Sequence, residues 1–424
     1  MAENNELTSK KRLATNTAML FILTMSNYVF GFITVPYQTR VLGPDLYGIM
    51  GFAMATMGYF QVVLDYGFTL SGTAEIARKK DNPQETSKTV ESIILCKLFL
   101  FCLCCLGLII LSLLIDKVRD YILIFWIFLL YSFSNTLIPD FLYRGMENMK
   151  PITYRTVFIK FLFTMMIFAF VKTSSDYVLI PVFYLIGSVV AVVIAYYDVK
   201  KRYALKLEKL SFRQVLNTLK TSSPFFVSRV ATTVYGATNM FLLGLRYAGM
   251  PALGHYTAAD KFVSVAKMGA SPIADSLYPY LIANRDFKTV KRIFLVLMPI
   301  IVLMGAILFW IAPTLCVMLF GADYADAAPV LRALIPVMVM ILPQYILGFP
   351  VMTPLGIAHK ANISVIIGAF VQIFLLIFVW TQDMLTAVNV CICTSITEFV
   401  ILTYRSISIY LAVKKAKDKE AKVN

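Results

Sequence analysis

Charged side chains interrupt apolar stretches that are long enough to cross a membrane. These side chains are the candidates for ligand binding or proton transfer. Six basic and four acidic ones lie deep within these stretches: Lys97, Lys160, Arg229, Lys261, Lys267 and Arg405, and Asp65, Asp260, Asp275 and Glu398. A charge at the centre of a membrane helix costs about 2.5–3.5 kcal/mol, so it usually faces a wet cavity or a partner. The basic surplus indicates a site for an anion, and a carboxylate beside it could carry a proton.

One apolar segment, 252–283, carries a continuous polar stripe. At 100° per residue its members lie within about 80° of one another; they are Thr257, Asp260, Ser264, Lys267, Ser271 and Asp275. Such a stripe predicts a membrane helix that lines a cavity. The alternative is that Asp260, Lys261, Lys267 and Asp275 form salt bridges that lock helices together.

A short motif occurs twice, 206 positions apart, which is close to half of the 424 residues. It reads R-x-x-G-x-x-x-x-G and begins at Arg40 and again at Arg246. With the same shift of 206, Gln61, Asp65 and Thr69 are the positions equivalent to the last three residues of the stripe. We interpret this as a duplicated helical bundle, because two pseudo-symmetric halves facing a cleft are the usual machinery of alternating access.

Polar residues on other segments complete the predicted lining of that cleft, with Arg229 and Thr233 on one and Asn27 and Thr34 on another. The predicted substrate contacts are Lys267, Arg229, Lys160, Lys97, Lys261, Gln61 and Asn27. The candidates for a coupling carboxylate are Asp65, Asp260, Asp275 and Glu398.

The composition predicts an integral membrane protein. Hydrophobic residues make up 59% of the chain and charged residues 15%, with a mean hydropathy of +0.75. A helix needs about 20 apolar residues to cross the hydrocarbon core. Twelve segments meet this: 13–37, 47–77, 89–115, 120–142, 152–171, 177–197, 212–245, 252–283, 290–319, 328–352, 361–380 and 384–412. We expect an all-α fold of 12 transmembrane helices in two six-helix bundles around a central cavity, with bundles at 1–200 and 221–424 and a cytoplasmic basic linker at 201–220.

The distribution of cations predicts the orientation. Of 39 Lys and Arg residues, 27 lie on one side of the predicted membrane and 6 on the other. By the positive-inside rule, both termini are expected to be cytoplasmic. The net charge of +15 follows from this topology, and no nucleic-acid partner is expected because the cations are spread over separate short loops.

The sequence predicts neither a cofactor nor a metal site. It has no Gly-rich phosphate loop, and its two histidines, His255 and His359, lie near opposite membrane faces. All seven cysteines fall within apolar segments without a nearby histidine, so we interpret them as buried small side chains. The loops are too short for a soluble catalytic domain, and an enzyme is not expected.

The sequence resembles Wzx-type O-antigen and capsular polysaccharide repeat-unit flippases, of the multidrug/oligosaccharidyl-lipid/polysaccharide exporter superfamily. The resemblance rests on Pro36 to Pro44, Tyr47-Gly48, Asp65-Tyr66-Gly67-Phe68 with Ser71, Thr73, Ile76 and Ala77, Tyr256 to Lys261, Pro272-Ile273, Leu277-Tyr278-Pro279, and Phe320-Gly321-x-x-Tyr324-x-x-Ala327 with Leu331. It implies movement of undecaprenyl-pyrophosphate-linked oligosaccharide across a bacterial inner membrane for lipopolysaccharide or capsule synthesis. It also implies contact with membrane lipids and with polysaccharide polymerase machinery.

Two other functions stay open at this point. A cation-coupled multidrug exporter of the same superfamily would have the same number of spans, but it should have a carboxylate-rich cavity. A membrane polysaccharide polymerase or ligase should have a substantial external loop with catalytic arginines, which this sequence lacks.

Overall fold

A computed structural model describes residues 2–203, 212–247 and 249–423, and within these ranges the chain forms helices and no strands. In chain order the α-helices are α1 Ala2–Asp65, α2 Phe68–Lys79, α3 Pro83–Leu114, α4 Asp116–Asp120, α5 Ile122–Leu137, α6 Asp140–Gly145, α7 Lys150–Phe170, α8 Leu179–Tyr203, α9 Phe212–Tyr247, α10 Pro251–Asn284, α11 Phe287–Phe320, α12 Ala327–Leu347, α13 Phe349–Met352, α14 Ala358–Thr381 and α15 Ala387–Val423. Residues 204–211 of the predicted basic linker lie outside the described residues.

Among the described residues, 9 helical segments are long and apolar enough to cross a membrane. The first, Thr15–Lys79, has 65 residues and covers the first two predicted spans. The seventh and eighth predicted spans coincide with α9 and α10, which have 36 and 34 residues but contain no stretch as apolar as those of the nine. The predicted all-helical membrane fold is confirmed, and the difference from twelve spans arises from one long bent helix and two polar ones.

The first compact unit comprises residues 1–37 and 52–233. In it α5 and α7 pack against α8, and α2 packs against α6 and α3. Its largest buried side chains include Phe68, Phe125, Phe128 and Tyr143. The Tyr143 hydroxyl donates to Asp198 at 2.9 Å, which satisfies a polar group that would be costly to bury alone.

The second compact unit comprises residues 38–51 and 234–424. Helix α12 is at its centre and packs against α10, α11 and α15. Side-chain amides link α9, α14 and α15. Gln372 of α14 donates to Asn239 of α9 at 2.7 Å, and Asn239 donates to Thr394 of α15 at 2.8 Å. Thr397 donates to Gln372 Oε1 at 2.6 Å. A satisfied network of this kind fixes one arrangement of α9, α14 and α15.

The first glycine of the duplicated motif has a positive φ in both copies. The angle is 72° at Gly43 in one copy and 78° at Gly249 in the other. This left-handed region is accessible to glycine without steric cost. The first copy bends α1 at Gly43. The second copy runs from the end of α9 to the start of α10. A positive φ at both glycines is what a duplication predicts.

The second glycines of the motif pack the two copies against each other within the second unit. A Cβ added at Gly48 would lie 2.7 Å from the backbone nitrogen of Gly254. One added at Gly254 would overlap the carbonyl oxygen of Pro44. Backbone meets backbone here, so neither position has room for a side chain.

The motif arginines bind to other parts of the second unit. Arg40 donates to the carbonyl oxygen of Met318 at the end of α11. Arg246 donates to the Asp383 carboxylate at 2.6 Å. The motif is therefore a packing element, in which the arginines fix the segment ends and the glycines allow close approach.

Candidate functional site

The segment Asp65-Tyr66-Gly67-Phe68 forms a break between α1 and α2. Tyr66 and Gly67 both have positive φ values, of 44° and 77°. A Cβ at Gly67 would lie 2.5 Å from the Cβ of Phe225, so only glycine fits. Tyr66 stacks on Phe226 at 4.5 Å between ring centroids, and Phe68 is fully buried. This packing fixes where the Asp65 carboxylate lies.

Asp65 is buried, and its two carboxylate oxygens have different environments. Oδ1 accepts a hydrogen bond from the Thr69 hydroxyl at 2.6 Å. Oδ2 lies 3.6 Å from Nη2 of Arg229, beyond hydrogen-bond distance, and accepts no hydrogen bond from any described residue. The structure thus brings together two residues that the sequence assigned to the site separately. The Arg229 side chain is 52% exposed.

Lys97 lies in the same unit but is 3% exposed. Its ammonium donates to the carbonyl oxygen of Thr136 and lies 5.3 Å from the centroid of the Phe141 ring. Helix α5 ends at Leu137, and the following break at Pro139 leaves the Thr136 carbonyl without its helical donor. In this conformation Lys97 therefore caps the C-terminal end of α5.

A cavity of about 300 Å³ lies within the first unit, between α1, α5, α7 and α8. Two predicted substrate contacts, Asn27 of α1 and Lys160 of α7, line it. Thr34, which the sequence also assigned to the lining, lies in its wall. Among residues with described side chains, Lys160 forms no ion pair. We refer to this space as the α7 cavity.

Arg155 also lines the α7 cavity, although it is not among the substrate contacts predicted from the sequence. It lies near the start of α7, and the cation distribution places it with the cytoplasmic cations at the membrane boundary. The structure buries it at 7% exposure and pairs it with Asp140 at 2.7 Å. Its Nε and Nη1 atoms are buried without a hydrogen-bond partner among the described residues. The one sequence signal was an arginine five positions before Lys160.

The polar stripe of α10 lies in the second unit. Within the described residues, Asp260, Lys261, Lys267 and Asp275 form no salt bridge. Lys267 and Asp275 are exposed, and Asp275 accepts from Ser271 at 3.0 Å, one helical turn away. Among the described residues the stripe thus lacks the salt bridges of the alternative, and its lining role stays a prediction.

The remaining candidates have different surroundings. Gln61 lies one turn before Asp65 on α1 and is half-buried. Glu398 of α15 is half-buried, and its backbone carbonyl accepts from Gln344 at 2.7 Å. Arg405 donates to Ser364 at 2.9 Å and to the Gln344 carbonyl, which ties α15 to α14 and α12.

The segment from Phe320 to Ala327 forms the turn between α11 and α12. Gly321 has a φ of 111°, and Tyr324 is 1% exposed. The His255 ring lies 5.5 Å from that of Tyr324, and its Nε2 donates to the Asp323 carbonyl at 2.8 Å. Burial raises the pKa of Tyr324, and the nearby Tyr47, Asp323 and Asp45 raise it further, so its hydroxyl stays neutral. This motif is structural.

The fold is that of a membrane transporter. A multidrug resistance MATE family transporter of the MOP superfamily in an inward-facing conformation superposes with a TM-score of 0.71, at 17% identity, over 92% of this chain and 96% of that one. The lipid II flippase MurJ in an inward closed conformation gives a TM-score of 0.69, at 14% identity, over 94% of this chain and 87% of that one. At these identities the likeness defines the fold.

The chain belongs to the polysaccharide biosynthesis protein family, which residues 13–285 match. It is 28% identical over 378 residues to the "Putative O-antigen transporter" of Escherichia coli (strain K12), covering 88% of this chain and 90% of that protein. It is also 28% identical over 364 residues to the protein of the same name from Shigella dysenteriae, with 84% and 90% covered. The resemblance to Wzx-type polysaccharide flippases is confirmed.

Proposed function

We propose that this protein moves undecaprenyl-pyrophosphate-linked oligosaccharide repeat units from the inner to the outer leaflet of a bacterial inner membrane. The family, the two O-antigen transporter relatives and the transporter fold support this proposal. The cargo glycan then passes to polysaccharide polymerase machinery, which needs it on the outer face. Alternating access moves the polar part of the cargo while the prenyl tail stays in the lipid.

The observation that carries the proposal is the surplus of basic side chains within the helical bundles. Lys160 and Arg155 line the α7 cavity, the Arg229 side chain is 52% exposed beside Asp65, and Lys267 is exposed on the α10 stripe. A pyrophosphate needs cations in place of its water shell, and arginine offers it paired donors. A carrier of cationic drugs would instead need carboxylates in excess.

The membrane potential favours this direction of movement. Moving one elementary charge across the membrane in the direction that the potential favours releases about 2.3 kcal/mol of free energy per 100 mV. A dianionic pyrophosphate leaving a negative interior therefore gains about twice that amount. This contribution acts whether or not a carboxylate such as Asp65 also exchanges a proton.

The proposal includes an orientation with both termini cytoplasmic, which is supported by the distribution of 27 and 6 cations. In a cysteine-free background, a cysteine in place of Lys201, near the end of α8, is expected to resist an impermeant thiol reagent in intact cells. A cysteine in place of Lys117, in α4, is expected to react. The opposite labelling pattern would reverse the orientation.

Lys267→Ala and Arg229→Ala are each expected to lower surface polysaccharide strongly in cells that lack the native gene. The reason is that each removes a cation able to contact the pyrophosphate or the glycan. Membrane levels of both variants should stay normal, because neither side chain is buried. Lys288→Ala is the matched control, since Lys288 is exposed at the start of α11, outside the stripe. Full restoration by both variants at normal levels would place the binding site elsewhere.

A further inference from the structure

The α7 cavity has the features of a small ligand site with its own charge. It lies within the first unit, and its volume of about 300 Å³ is at the lower end of the range for ligand pockets. A space of this size fits one sugar ring and not a chain of them. The volume therefore suits a single sugar unit of a larger cargo.

Arg155 supplies donors that lack an acceptor. Its guanidinium makes one ion pair, to Asp140, and leaves Nε and Nη1 buried without a partner among the described residues. A buried donor without an acceptor costs about 1–3 kcal/mol, and more when the group is charged. An oxyanion in the cavity would satisfy these donors with charge-assisted hydrogen bonds.

The charges around the α7 cavity sum to one excess cation. Asp140 neutralises Arg155, while Lys160 lines the same wall and forms no ion pair among the residues with described side chains. Asp140 also acts electrostatically on Lys97, so its charge is shared between two cations. The cavity therefore suits a ligand with at least one negative charge.

The remaining walls match the surface of a sugar ring. Tyr131 and Tyr184 lie together with ring centroids 5.7 Å apart, and both line the cavity. Their apolar faces can pack against C–H groups, while their hydroxyls and the amides of Asn27 and Asn135 can bond to sugar hydroxyls. A bare phosphate would use the cations and leave these walls without contacts.

We propose that the α7 cavity binds one acidic sugar unit of the cargo glycan, with the oxyanion of that sugar against Arg155 and Lys160. This inference rests on the proposed function and narrows it to cargo whose repeat unit contains a sugar with a carboxylate or phosphate group.

The test is ligand binding to the purified full-length protein in nanodiscs. Methyl glucuronide and glucose 6-phosphate are the acidic sugar probes, methyl glucoside is the neutral probe, and inorganic pyrophosphate stands for the lipid linker. We expect at least one acidic sugar to bind saturably and at least tenfold more tightly than the glucoside. Arg155→Gln should weaken that binding tenfold or more.

Arg119→Gln is the matched control, because Arg119 makes a similar pair with Asp116, at 2.6 Å, on the exposed surface. It should bind as the wild type does. If Arg155→Gln does not fold, Gly31→Phe replaces it: Gly31 lines the cavity, a Cβ there meets nothing within 4 Å, and the ring should block the site. Equal binding of acidic and neutral sugars, or unchanged binding by the variant, would overturn the inference. So would Arg155-dependent binding of pyrophosphate alone.

A transport comparison separates this inference from the proposed function. In proteoliposomes, lipid-linked acidic and neutral repeat units are offered to the wild type and to Arg155→Gln. We expect the ratio of acidic to neutral transport to fall in the variant. An unchanged ratio would overturn the acidic-sugar site alone, whereas a wild type that moves neither cargo would overturn the proposed function.

Discussion

Gly254→Ala is expected to prevent the protein from accumulating in a folded form. The added methyl group would overlap the carbonyl oxygen of Pro44, and backbone cannot move aside as a side chain can. Overpacking typically costs about 1–3 kcal/mol, and a clash with backbone is expected at or above the upper end. Thermal unfolding in detergent, followed by size-exclusion chromatography, should show a large loss of the monodisperse peak.

Gly269→Ala on the same helix is the matched control for this prediction. A Cβ at Gly269 meets nothing within 4 Å, and alanine is favoured over glycine in a helix by about 1 kcal/mol. This variant should therefore unfold at the wild-type temperature or slightly above it. If Gly254→Ala were as stable as Gly269→Ala, the two motif copies would not pack as described.

Asp65→Asn is expected to reduce transport to the level of protein-free liposomes, whereas Asp65→Glu should keep part of it. The asparagine retains the acceptor for the Thr69 hydroxyl but removes the charge 3.6 Å from Arg229. If the carboxylate alternates between Arg229 and a proton, its ionisation must change during the cycle. Only glutamate can do this. Transport by both variants in proteoliposomes, at equal protein incorporation, measures the effect.

A purely structural Asp65 predicts the reverse order, since the isosteric asparagine would fit the helix break and the longer glutamate would disturb it. Full activity of Asp65→Asn alone would remove the carboxylate from the mechanism.

The sequence predicts most of the fold because hydropathy and helix length are local properties. The apolar segments become helices, and the first glycine of the motif has a positive φ in both copies. The bend in α1 is harder to predict, because the helix continues through Gly43 and joins two predicted spans.

The site is only partly predictable, because tertiary contacts decide which charges it contains. Asp65 and Lys160 are recognisable because they interrupt long apolar runs. Arg155 is not, since its burial depends on Asp140, which comes from another helix 15 residues earlier. Lys97 interrupts an apolar run as well, yet its ammonium caps the break at the end of α5. Only tertiary contacts separate a charge that is open to a ligand from one bound to the protein.

The central claim is tested most directly by reconstituting the purified protein in liposomes with a prenyl-pyrophosphate-linked oligosaccharide in both leaflets. An impermeant glycan-modifying enzyme is added outside, and the modified fraction is followed over time. We expect modification to continue beyond the outer-leaflet fraction in the presence of the protein, and to stop at that fraction in protein-free liposomes. If the modified fraction stopped there with correctly inserted protein as well, the account of this chain as a lipid-linked oligosaccharide flippase would be wrong.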